Sequence, residues 1–222
     1  MTEPRIISGR AVRERELRAG PVRVRFFEVL DVDEVLEAAI ERSERPPYGA
    51  VPWASGIAAA RVLAEAGVAG RTVVDVGAGC GVVSLTAAGL GARVSALDVD
   101  PLARSLLEAA ATEQGLVVDV QAFDLLGTAP LPEGDLFVFA DLLYEGPLAE
   151  ATARRVLEAW ARGSDVLVAD PGRAGRETFE LCLLEADVEA SFEEVRVQLP
   201  GEEPVHKVGV FWTGPRGQGG EP

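Results

Sequence analysis

A chain of 222 residues, 48% hydrophobic and 26% charged, has the length and composition of one globular domain with a small addition. Its 21 basic and 36 acidic residues leave a net charge of −15, which argues against nucleic acid as a partner and favours a basic protein surface. Two cysteines and a single histidine, His206, argue against a protein-only zinc site, a disulfide scaffold and a Ser-His-Asp triad. The charged start and the absence of any bilayer-length apolar run lead us to expect a soluble cytoplasmic protein without a membrane segment.

Residues 1–45 read as a strand-helix extension. Val22, Val24 and Phe26 alternate with arginines and Phe27 over residues 22–29, and Val32, Val35, Leu36, Ala39 and Ile40 recur at helical spacing over 31–43. Pro46, Pro47, Gly49 and Pro52 mark residues 43–52 as a loop. Residues 46–213 then form the main domain. A helix over 55–66 is followed by a strand (71–76), a helix (82–89), a strand (92–98) and a helix (101–114) with Pro101 in its first turn. Strands over 116–122 and 135–140 precede a helix (148–162), a strand (165–169), a helix (173–186) and two final strands (191–198 and 205–213). The alternation predicts a parallel sheet covered on both faces. The short link from Pro200 to Pro204 predicts a hairpin, with an antiparallel last strand. Residues 214–222, rich in Gly and Pro, are expected to be a disordered tail.

Chemistry concentrates in Val73-Val74-Asp75-Val76-Gly77-Ala78-Gly79-Cys80-Gly81, an apolar strand running through three alternate glycines into a helix. Such glycines permit a tight turn and close approach of backbone to a ligand, and the helix start adds free N–H groups. The third glycine falls one position early for a dinucleotide fingerprint, and Asp75 suits a cationic or zwitterionic ligand better than a pyrophosphate. Asp98, at the tip of the next strand, can accept both hydroxyls of a ribose. A ligand with ribose but no diphosphate fits, and S-adenosyl-L-methionine is such a molecule. Cys80, between two glycines, reads as packing, and His206 as structural.

From these motifs the chain resembles the class I, seven-stranded, S-adenosylmethionine-dependent methyltransferases over residues 48–212. The resemblance implies an α/β fold: a Rossmann-like seven-stranded mixed sheet with helices on both faces and a C-terminal antiparallel hairpin. It also implies that Asp75, Gly77 and Gly79 line the methionine part of the donor, that Asp98 holds the ribose, and that Asp124 faces the adenine amine. Trp53 would cover donor or substrate.

After the fourth strand comes Phe139-Ala140-Asp141-Leu142-Leu143-Tyr144. It lacks the prolines of the Asn/Asp-Pro-Pro-Tyr motif and resembles the acid-x-x-aromatic signature of protein lysine methyltransferases. Pro47-Tyr48-Gly49-Ala50-Val51-Pro52-Trp53-Ala54-Ser55-Gly56, Asp98-Val99-Asp100-Pro101 and Asp170-Pro171-Gly172-Arg173 resemble segments of the electron transfer flavoprotein β-subunit lysine methyltransferases. The chain departs from that pattern where Gly49 replaces a tryptophan and Ala54-Ser55 replaces Pro-Gly, positions expected near the acceptor entrance. The resemblance implies a protein substrate with a lysine acceptor, Asp141 and Tyr144 as catalytic residues, Asp141 also touching the donor, and no metal. Arg173 is expected either to contact substrate or to cap a loop. A small-molecule N- or O-methyltransferase and a non-catalytic S-adenosylmethionine-binding module are the alternatives.

Overall fold

Apolar runs that are buried on both faces make the centre of the molecule. In the computed structural model, which describes residues 5–42 and 46–214, Val73, Val74 and Val76 of one strand and Leu136 to Phe139 of its neighbour are all fully or nearly fully buried. Around them the chain lays down β1 (Arg5–Ile7), β2 (Arg10–Ala19), β3 (Val22–Val29), α1 (Val32–Glu41), a 3-10 turn (Tyr48–Ala50), α2 (Ala54–Ala66), β4 (Thr72–Val76), α3 (Val82–Gly89), β5 (Arg93–Asp98), α4 (Pro101–Gln114), β6 (Val118–Ala122), β7 (Leu136–Ala140), α5 (Gly146–Ala161), β8 (Asp165–Asp170), α6 (Arg176–Leu184), β9 (Glu193–Gln198) and β10 (Val205–Trp212).

The main sheet has seven strands in the order β6-β5-β4-β7-β8-β10-β9. Strands β4 to β8 pair in parallel, and β10 is antiparallel to both β8 and β9. This is the expected mixed sheet with its closing hairpin. Two hydrophobic clusters occupy its two faces, one packed with α2, α3 and α4, the other with α5 and α6. The strand order reverses direction between β4 and β7, so the carboxyl ends of β4, β5 and β7 open onto a shared crevice, the usual ligand position in such sheets. Local signals set the helix ends: Asp100 caps α4 by accepting the Leu102 N–H at 2.9 Å, with Pro101 behind it, and Gly115 closes the helix in the left-handed region.

The first 45 residues hold more than the single strand read from sequence. β1, β2 and β3 form a separate antiparallel sheet. Six of the ten β2 residues are charged, so its buried positions Val12, Leu17 and Ala19 give no clean alternation. Its charges instead pair across to β3, Glu14 with Arg25 and Glu16 with Arg23, each at 3.3 Å. The apolar face, with Val24 and Phe26, joins the cluster around α3 and α4. Gln114, the last residue of α4, clasps the Arg25 backbone, donating to its carbonyl and accepting from its N–H, both at 2.7 Å. The 43–52 loop holds the Tyr48–Ala50 turn, its first three residues lying outside the described ones. Of the expected disordered tail, residues 215–222 also lie outside the described residues.

Candidate active site

The crevice at the carboxyl ends of β4, β5 and β7 is a cavity of about 580 Å³. Trp53, Asp75, Gly77, Gly79, Asp98, Asp124, Asp141 and Tyr144 all line it. All eight residues singled out in the sequence therefore meet around one space, which is large enough for a cofactor-sized molecule.

One end is built by the glycine turn. Gly77 and Ala78 donate their N–H groups to the Leu97 carbonyl at 2.8 and 3.1 Å, which folds the loop back onto β5. Gly77 has φ +72°, and a Cβ there would lie 2.6 Å from the Leu142 side chain. The Gly79 N–H reaches Asp98 Oδ2 at 2.8 Å, while Asp98 Oδ1 accepts the Asp100 N–H at 2.8 Å. Each oxygen keeps a lone pair for a further donor. Asp75 is buried and accepts the Ser84 hydroxyl at 2.6 Å; Ser84 sits in the first turn of α3. Burial pushes the Asp75 carboxyl up from 3.8 to about 7, against the lowering effect of Ser84. Burial raises Asp98 as well. Cys80 is buried and its thiol is pushed up to about 12, in keeping with packing rather than reactivity. Asp124 lies on the wall with Phe123, Leu125 and Leu126, its carboxylate accepting the Leu126 N–H at 3.1 Å.

The other end centres on Asp141. This residue leaves β7 with φ +60°, a left-handed conformation that Asp tolerates better than most, and its N–H is held by the Ala169 carbonyl at 2.9 Å. Its carboxylate is buried and doubly engaged: Oδ2 accepts the Ser55 hydroxyl at 3.0 Å, and Oδ1 accepts Arg173 Nε at 2.7 Å. Arg173 gets there because buried Asp170, at the tip of β8, accepts the N–H groups of Gly172 and Arg173 at 2.7 and 3.1 Å. Arg176 Nε adds a third bond to Asp170 at 2.8 Å. The Asp-Pro-Gly-Arg segment is thus a turn whose product is the Arg173–Asp141 pair, and Arg173 also lies 5.2 Å from the Trp53 ring. Trp53 is 38% exposed, with its indole N–H donating to the Tyr48 carbonyl at 2.8 Å, so it forms a rim of the site rather than a wall of the core. Tyr48 and Tyr144 stand edge to face, 5.6 Å apart.

The sequence analysis gave no role to Ser84 or to the Ser55 hydroxyl. Ser84 was findable, since a serine in the first turn after the loop points back toward the strand acid. Ser55 is one of the two positions where the Pro-Gly pattern is replaced, and its hydroxyl holds Asp141. Gly49 lines the cavity and lies against the glycine turn: a Cβ there would sit 3.1 Å from the Gly79 Cα and 3.0 Å from the Ala103 Cβ. A tryptophan has no room in this packing.

The sequence profile of a family described as lysine methyltransferase matches residues 33–182. The electron transfer flavoprotein β-subunit lysine methyltransferase of Mus musculus is 34% identical over 132 residues, covering 57% of this chain and 51% of that protein. The Homo sapiens counterpart is 30% identical over 143 residues, covering 57% and 50%. The chain spans about half the length of the curated relatives it matches. A 16S rRNA N2 G1207 methyltransferase of T. thermophilus, solved with AdoMet and guanosine, shares the fold with a TM-score of 0.58 at 19% identity, over 90% of this chain and 50% of that one.

Proposed function

The chain belongs to the lysine methyltransferase family, and from that premise we propose that it is a protein-lysine N-methyltransferase using S-adenosyl-L-methionine. Its acceptor is an electron transfer flavoprotein β-subunit or a similar protein, the substrate named for the mouse and human relatives. The observation that carries the reading is the joining of two sets of residues around one cavity. Asp75, Gly77, Gly79, Asp98 and Asp124 stand at one end, and Asp141 and Tyr144 at the other.

The residues fit the donor. The glycine turn leaves room that a Cβ would fill, Asp98 has lone pairs free for a ribose, and Asp75 is an acid facing the space where a cationic amino group would rest. When bound, S-adenosylmethionine supplies a methyl group made electrophilic by its sulfonium. Asp141 orients the acceptor nitrogen and Tyr144 bounds its approach with an aromatic ring. A free lysine titrates at about 10.4 and must lose its proton before it can attack. An unpaired carboxylate beside it would hold that proton on. Arg173 answers this: its charge at 2.7 Å from Asp141 offsets the carboxylate, so the pair orients the amine without stabilising the ammonium. Water carries the proton away.

Among the described residues no helix is long and apolar enough to cross a membrane; a cytoplasmic location is part of the proposal. The test is incubation of the purified chain with donor and purified electron transfer flavoprotein β-subunit, read by mass spectrometry. Methylated lysine is expected, and it should be lost in Asp141→Ala. Methylation confined to a free metabolite would overturn the reading.

A further inference from the structure

A second cleft, of about 510 Å³, adjoins the donor cavity, and the two share Val51, Pro52, Trp53 and Asp141. The rest of its walls come from outside the donor cavity. The N-terminal sheet supplies Arg13, Glu28 and Val29. The hairpin supplies His206, with Leu199 and Glu202 from the β9–β10 connection. Arg173 and Pro171 close it beside Asp141.

We propose that this cleft receives the polypeptide segment carrying the acceptor lysine, so that the N-terminal sheet and the C-terminal hairpin together form a substrate-recognition element. The proposal rests on the protein-lysine reading above. Three features support an occupant of this chemistry. First, adjacency: the cleft shares Trp53 and Asp141 with the donor cavity and is lined by Arg173, so a side chain seated in it lies beside Asp141. Second, the apolar rim: Leu30 and Trp53 are 42% and 38% exposed, large hydrophobic side chains left uncovered on one cleft, where the apolar neighbours of a lysine would cover them. Third, polarity: the lining carries the carboxylates of Glu28, Glu202 and Asp141 and the guanidiniums of Arg13 and Arg173, a mixed polar border that suits a polypeptide segment.

Of the polar groups, most are already engaged. Glu28 is buried and pairs with Arg13 and, at 3.0 Å, with Arg15, and Arg15 reaches Glu202 at 3.8 Å. His206 is different: its Nε2 is buried and without a hydrogen-bond partner in the structure. A buried polar atom left unpaired costs free energy unless a ligand meets it. The backbone of a bound segment offers both N–H and C=O groups to either tautomer of the ring.

The experiment compares wild type with Leu30→Asp and His206→Ala, using the purified flavoprotein β-subunit as probe. Acceptor binding is measured by calorimetry without donor, and methylation by steady-state kinetics. Leu30 is at the surface, so its variant tests the cleft even where His206→Ala disturbs the hairpin. The expected result is a KM and Kd for the acceptor weaker by about tenfold in each variant, with donor affinity as in wild type. Variants that bind and methylate the subunit as wild type does would overturn the cleft assignment alone. A wild type that methylates no lysine of the subunit would overturn the acceptor reading, and the occupant with it.

Discussion

A carboxylate beside a target amine both helps and hinders, because it orients the nitrogen and holds its proton. In the proposed reaction Arg173 offsets the hindrance, and the consequence is testable in pH. Arg173→Ala leaves Asp141 uncompensated, so the bound acceptor's proton is held more tightly and the acidic limb of the kcat profile should move to higher pH. Arg173→Lys should restore part of the shift. An unmoved profile in Arg173→Ala would remove that role. For Asp141 itself the conservative change is Asn, which also tolerates φ +60°. Asp141→Asn should cost at least about 100-fold in kcat, read by steady-state kinetics at saturating donor. Asp75 makes a different prediction. Its folded carboxyl titrates near 7 against an ordinary 3.8, so the folded state holds a proton that the unfolded chain gives up. Stability from this group is complete below about 4 and is lost as pH rises to about 7, a change on the order of 4 kcal/mol; Asp98, also raised by burial, adds the same sign. The thermal midpoint of the donor-free chain should fall between about pH 5 and pH 8, and less steeply in Asp75→Asn. Parallel profiles would contradict the assignment.

At the scale of elements, the donor cavity depends on how closely the Tyr48–Ala50 turn lies on the glycine loop. Gly49→Ala puts a methyl group 3.1 Å from the Gly79 Cα and 3.0 Å from the Ala103 Cβ, and the Gly79 backbone has little freedom to yield. Donor affinity should fall by roughly tenfold or more, read by calorimetry, with the fold intact by circular dichroism. The N-terminal sheet is joined to the rest partly through Glu28, whose buried carboxylate takes Arg13 and Arg15. Glu28→Ala leaves Arg15 mostly buried and without that partner, at a cost on the order of 2 kcal/mol, or a fall in Tm of roughly 4–8 °C. A midpoint unchanged in that variant would show the cluster to be a surface feature only.

At the scale of the whole molecule, the seven-stranded sheet was legible because parallel strands buried on both faces appear as unbroken apolar runs, as in Leu136 to Phe139. The hairpin was legible because Pro200 to Pro204 leaves no room for a crossover helix. β2 was not, since its charges serve cross-strand pairs and only three of its positions are fully buried. Most of the residues lining the donor cavity were legible because they stand at or just after the carboxyl ends of β4, β5, β6 and β7. The hydrogen bonds that hold these side chains were not: Ser55 lies 86 residues from Asp141, and only folding joins them. Arg173, 32 residues from Asp141, could be singled out in the sequence, but not its partner. What joins these scales is a cavity whose two ends, on the proposed reading, serve one reaction. The measurement that tests this most directly is incubation of the purified chain with methyl-labelled S-adenosylmethionine and cell lysate, resolved by gel and mass spectrometry. A labelled protein band with the methyl on lysine, absent with Asp141→Asn, is the expected result. Label found only in small molecules, or label on protein undiminished by Asp141→Asn, would contradict it.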